Sequence, residues 1–135
     1  MILLDTDIIS QLLRPEPPPP LVQRLRAVPT RRRHISAISI AELLYGIERT
    51  GRHEEIRAGL EANFISRIEV LSFDLEAARV YARIRAHLAA SGRPLAEADL
   101  QIASVASAHG LILITGNERH FRRVPRLRVE NWLRE

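Results

Sequence analysis

Short apolar runs alternate with longer stretches of helical periodicity along the chain, and that alternation admits few folds other than helices layered on a parallel sheet. Ile2–Leu4, His34–Ala37, Ile68–Leu71, Leu111–Ile114 and Leu127–Val129 are the strand candidates. Ile8, Ile9, Leu12 and Leu13 suggest a short helix, which Pro15 and Pro17 to Pro20 should break because proline lacks the amide donor. Leu21, Val22, Leu25 and Val28 suggest another, closed by Pro29. The clearest helix carries Ile40, Leu43, Leu44 and Ile47 at i, i+3, i+4 and i+7. A charged helix is expected over Glu54–Phe64, and a long one capped by Asp74, with Val80, Ile84 and Leu88 in line, ends at Gly92. Ala96–His109 is rich in small residues, so it should pack closely on the sheet, and Thr115–His120 reads as a turn. With 135 residues, no repeat and no linker, a single domain over residues 1–135 is expected, the proline run being a loop within it.

Composition removes several kinds of chemistry. Cysteine is absent, so disulfides, thiolate metal sites and cysteine nucleophiles are excluded. That absence fits a reducing cytoplasm, and Asp5 and Asp7 stand where a secretory signal would need an apolar run. No apolar stretch approaches the roughly 18 residues of a membrane span. All 20 basic residues are arginine, set against 16 acidic ones. The missing lysine excludes P-loop and Schiff-base chemistry, and a receiver-type phosphoacceptor, which relies on a lysine near its acids. Codon usage accounts for much of the arginine. Position is more informative: Arg31 to Arg33 form one run, and Arg119, Arg122, Arg123, Arg126 and Arg128 crowd the C-terminal segment. Guanidinium forks suit phosphate backbones, so a polyanionic partner is expected.

Three of the four aspartates stand at junctions between elements: Asp5, Asp7 and Asp99. In a doubly wound sheet the carboxyl ends of the strands lie along one edge, where ligands bind. Asp5 ends the first strand, Glu42 opens the helix after the second, Asp99 opens the helix before the fourth, and Asn117 follows that strand. Converging carboxylates repel unless a hard cation sits between them, and Mg²⁺ or Mn²⁺ suits such an oxygen-lined pocket. Local readings compete. Ser39-Ile40-Ala41-Glu42 is a capping box in which Glu42 has only a structural part, Asp99 could serve its helix dipole, and Asp7 looks like the N-cap of the first helix. The five histidines have no metal-ligand spacing.

Five blocks in order, Met1-Ile-Leu-Leu-Asp5-Thr-Asp7, Ser36-Ala-Ile-Ser-Ile-Ala-Glu42-Leu-Leu-Tyr-Gly46, Leu95-Ala-Glu-Ala-Asp99-Leu-Gln-Ile-Ala103, Ile114-Thr-Gly-Asn117-Glu-Arg-His-Phe121 and Leu127-Arg-Val-Glu-Asn-Trp132, closely resemble PIN-domain proteins of the VapC toxin type. The resemblance implies a three-layer α/β/α fold with a central, mainly parallel sheet, and a Mg²⁺-dependent endoribonuclease (Mn²⁺ substituting) that leaves a 5′-phosphate and a 3′-hydroxyl. It implies Asp5, Glu42, Asp99 and Asn117 as the catalytic set, with Asp5 and Asp99 holding the metal. It also implies a homodimer and a VapB-like antitoxin partner. Asn117 stands where some relatives have a fourth aspartate, and Gly116 replaces an arginine common in the family motif. A catalytically weak RNA- or antitoxin-binding module is the alternative.

Overall fold

The computed structural model describes residues 1–51 and 53–134. Arg52, Glu135 and the side chain of His53 lie outside the described residues. The chain runs β1 (Ile2–Leu4), α1 (Thr6–Leu12), α2 (Pro19–Arg26), β2 (Arg33–Ser36), α3 (Ala37–Thr50), α4 (His53–Leu60), β3 (Glu69–Leu71), α5 (Leu75–Ala90), α6 (Glu97–Ala108), β4 (Ile112–Ile114), α7 (Glu118–Phe121) and β5 (Val129–Glu130). The strands form one sheet in the order β3-β2-β1-β4-β5, with every neighbouring pair parallel.

Helices cover both faces, which is why the strands are apolar without alternation. Side chains of a strand still alternate between faces. Leu3 and Leu113 enter a core with Val80, Ile84 and Leu88 of α5 and Ile102 and Val105 of α6. Ile2, Leu4, Ile35 and Ile114 enter the opposite core with Ile8, Ile9, Leu21, Ile47 and Leu60. Leu3, Leu4, Leu113 and Ile114 have no exposure at all, and each contributes about 1.5–3 kcal/mol through burial. Gly110, at φ +64, turns the chain out of α6 into β4 in a conformation that favours glycine.

Local chemistry departs from expectation in several places. Pro19 and Pro20 do not belong to a loop: they form the first turn of α2, where a missing amide costs nothing because those donors have no partner in the helix. The helix expected over Glu54–Phe64 loosens into a π-helical turn at Glu61–Ile65, which buries Phe64. Part of the expected turn Thr115–His120 is the single-turn helix α7.

Candidate functional site

Strands β1, β2 and β4 share a level, with Leu4 opposite both Ile35 and Ile114. The next residues, Asp5, Ser36 and Thr115, therefore emerge side by side at the carboxyl edge of the sheet, on the two flanks of the central strand. Asp5 is 2% exposed. Its Oδ1 accepts the Thr6 amide at 2.8 Å, and its Oδ2 accepts the Thr115 hydroxyl at 2.7 Å. The first bond makes Asp5 the N-cap of α1, in place of Asp7. These bonds do not offset burial. Desolvation, with the neighbouring charges of Asp7 and Asp99 added, pushes the Asp5 carboxyl up to about 7.

Asp7 lies in the first turn of α1 and is raised by burial as well. Its Oδ2 accepts the Gly116 amide at 2.9 Å, while Oδ1 is buried with no hydrogen-bond partner. Asp99 stands in the first turn of α6. Burial raises its carboxyl first, the charges of Glu42 and Asp7 add to this, and His120 opposes it. Asp99 thus combines a place at its helix start with the company of three other acids.

Glu42 differs from its local reading. Helix α3 starts at Ala37, with the Ser36 hydroxyl accepting the Ile38 amide at 3.0 Å, so Ser39 is inside the helix and no capping box forms there. Glu42 instead accepts the Thr6 hydroxyl at 2.6 Å, and the Thr6 and Ser39 hydroxyls lie 2.9 Å apart. Asn117 precedes α7 without capping it through its side chain. Its amide donates to the Thr115 hydroxyl at 3.0 Å, the same hydroxyl that donates to Asp5. A cavity of about 310 Å³ opens beside it, lined by Asn117, Arg119, His120 and Asn131 among others.

The fold thus gathers Asp5, Glu42 and Asp99 and joins Asn117 to them through Thr115. Thr6, Thr115 and His120 are additions that the sequence reading did not single out. Their one signal was a place close to Asp5 or Asn117 within the same motif blocks. The basic clusters divide. Arg33 donates to the carbonyls of Val28 and Leu25 at 2.9 and 3.0 Å, Arg123 to that of Pro94 and Arg128 to that of Gly110. Arg122 and Arg134 both pair with Glu118. Arg31 and Arg32 remain exposed at the amino end of β2.

The donor set suits a hard divalent cation, being all oxygen and overloaded with negative charge. Among the described residues, no three His, Asp or Glu side chains converge on one coordination centre. Magnesium tolerates that arrangement, since it keeps several waters and takes only one or two carboxylates.

Comparison with known proteins agrees with the geometry. The family described as PIN domain matches residues 2–127. The tRNA(fMet)-specific endonuclease VapC of Salmonella typhimurium is 44% identical over 103 residues, covering 76% of this chain and 77% of the relative. Toxin FitB of Neisseria gonorrhoeae is 35% identical over 128 residues, covering 90% of this chain and 91% of the relative. Among solved structures, VapBC2 from Rickettsia felis bound to a promoter DNA fragment superposes with a TM-score of 0.89 at 32% identity, covering 98% of this chain and 99% of that one.

Proposed function

The chain belongs to the PIN-domain family, and on that premise we propose that it is a Mg²⁺-dependent endoribonuclease, the toxin of a toxin–antitoxin pair. One observation carries the reading: Asp5, Glu42 and Asp99, far apart in sequence, meet at one sheet edge, and Asp5 and Asp99 are each raised by burial and by neighbouring acids. A divalent cation relieves that charge. Asp5 and Asp99 would hold it. When bound, it supplies polarisation of a phosphoryl oxygen and acidification of a water.

The chain's own groups do the rest. Glu42, oriented by the Thr6 hydroxyl, accepts the proton of the attacking water. The Asn117 side chain, at the lip of the cavity, donates to the phosphate. The bond to the 3′-oxygen breaks, the 3′-hydroxyl takes its proton from solvent, and the phosphate stays on the 5′ side. Arg119, exposed in the cavity wall, holds the RNA backbone at the site, and Arg31 and Arg32 meet it farther along, toward the opposite edge of the sheet; none of them reads its sequence. The chain works in the cytoplasm as one domain over residues 1–135, as a homodimer, restrained by a VapB-like antitoxin that covers the site. One relative is named an endonuclease and another a toxin, which supports this role. Among the described residues, no helix is long and apolar enough to cross a membrane.

The test is cleavage of RNA by the purified chain with Mg²⁺, with EDTA, and by Asp99→Asn. Cleavage should stop in chelator and fall by at least about 100-fold in the variant, with melting unchanged or raised. Undiminished cutting in EDTA would remove the metal mechanism. RNA retained without any product would favour the binding-module alternative.

A further inference from the structure

Asp7 has no part in the chemistry above, yet it places a second carboxylate beside Asp5 at a cost in desolvation. Its hydrogen bond to Gly116 reaches across 109 residues of sequence. Gly116 shows why. A Cβ there would lie 2.7 Å from Asp7 Oδ2 and 2.7 Å from the Leu133 Cδ1. The leucine methyl is the tip of a flexible side chain and can turn away. The carboxylate oxygen is fixed by the hydrogen bond it accepts. Any side chain at 116, including the arginine of the family motif, therefore excludes the bond that Asp7 makes.

Two parallel ties consequently join the start of α1 to the segment after β4: Asp5 Oδ2 to the Thr115 hydroxyl, and Asp7 Oδ2 to the Gly116 amide. The next residue is Asn117, itself bonded back to Thr115. We propose that Asp7 and Gly116 form a clamp that sets the position of Asn117 against Asp5, so that Asp7 is a positioning residue for the site and not one of its ligands. The consequence for cleavage rests on the ribonuclease reading; the clamp itself does not.

Amide hydrogen exchange and RNA cleavage, measured on the full chain, test it together. In Asp7→Ala, exchange at Gly116 should accelerate at least about tenfold, the scale of losing a charge-assisted bond. Cleavage kcat should fall by about tenfold to hundredfold through displaced geometry, with KM for RNA changed less than about threefold. Asp7→Asn keeps a carbonyl for the Gly116 amide and should restore both. Gly116→Ala should reproduce Asp7→Ala, and the double variant should be no worse than either single one, because both break the same contact. If Asp7→Ala does not fold, Asp7→Asn and Gly116→Ala decide the matter between them. Unchanged exchange at Gly116, additive losses in the double variant, or full kcat with the tie broken would each overturn the clamp as stated. If the native chain cuts no RNA, the ribonuclease reading falls alone, since the exchange series still shows whether Asp7 holds the segment.

Discussion

Asp5→Asn, made in metal-free protein, should raise stability at alkaline pH although it alters a buried residue at the centre of the sheet edge. A carboxyl moved from 3.8 to about 7 costs the folded state about 4 kcal/mol once it is ionised. The sign follows from proton counts. Below about pH 4, Asp5 is protonated whether folded or not, and nothing is lost. Between about 4 and 7 the unfolded chain has released the proton while the folded chain keeps it, so stability falls as pH rises. Above about 7 the whole cost stands. Asparagine escapes it: its oxygen can accept the Thr6 amide, and its NH₂ can donate to the Thr115 hydroxyl once that hydroxyl turns. At pH 8 the variant should melt higher by up to roughly 14 °C, taking about 3–4 °C per kcal/mol for a chain of this length. At pH 4 the advantage should vanish. Scanning calorimetry in chelator at both pH values reads the difference directly. An equal offset at pH 4 and pH 8, or a wild-type protein more stable at pH 8, would refute the electrostatic account. Added Mg²⁺ should close the gap at pH 8 by stabilising the wild type and not the variant.

Two further outcomes separate structural from functional parts. Glu42→Gln keeps a carbonyl for the Thr6 hydroxyl and relieves Asp99 of a like charge, so melting should hold or rise while cleavage drops at least about 100-fold; an active variant would reduce Glu42 to a support for Thr6. Replacing Arg31 and Arg32 by alanine should lower the log–log salt slope of RNA binding by roughly 0.7–0.9 per lost contact without affecting folding. Arg33→Ala should instead destabilise by about 1–3 kcal/mol, since it leaves the Val28 carbonyl without its donor and removes one of the two bonds to that of Leu25. An unchanged slope would place the exposed pair outside the RNA path.

The central strands were legible because burial on both faces leaves a continuous apolar signature: β1 has the expected bounds Ile2–Leu4, and β4 differs from expectation by one residue. The edge strand β5 was expected at Leu127–Val129 and forms at Val129–Glu130, where one flank only is paired and apolar character carries little information. Caps were the least legible. Ser36 and Ser39 are both plausible starts for α3, and the register of β2 against β1 decides between them, which is a tertiary fact. The same holds for Asp5 and Asp7. Asp5 stood out because a carboxylate directly after an apolar strand is expensive to bury, whereas Glu42 and Asp99, both at helix starts, had local readings that competed. Thr6 and Thr115 did not, because a hydroxyl looks ordinary until folding sets it 2.7 Å from a carboxylate. Arginine counts misled in part, for Arg33, Arg123 and Arg128 satisfy backbone carbonyls of the fold itself.

The position of β1 has a consequence for how the protein is made. It leaves the ribosome before β2 and β4, yet it occupies the middle of the sheet, with β2 on one flank and β4 on the other. The hydroxyl that closes over Asp5 is synthesised 110 residues later. A nascent chain halted midway already contains Asp5 and Glu42, but β1 has one open flank, Asp99 is absent and the Thr115 hydroxyl that holds Asp5 has not been made. The site therefore assembles only after Thr115 has been synthesised, and a shorter nascent chain holds some of its acids without the contact that closes over Asp5.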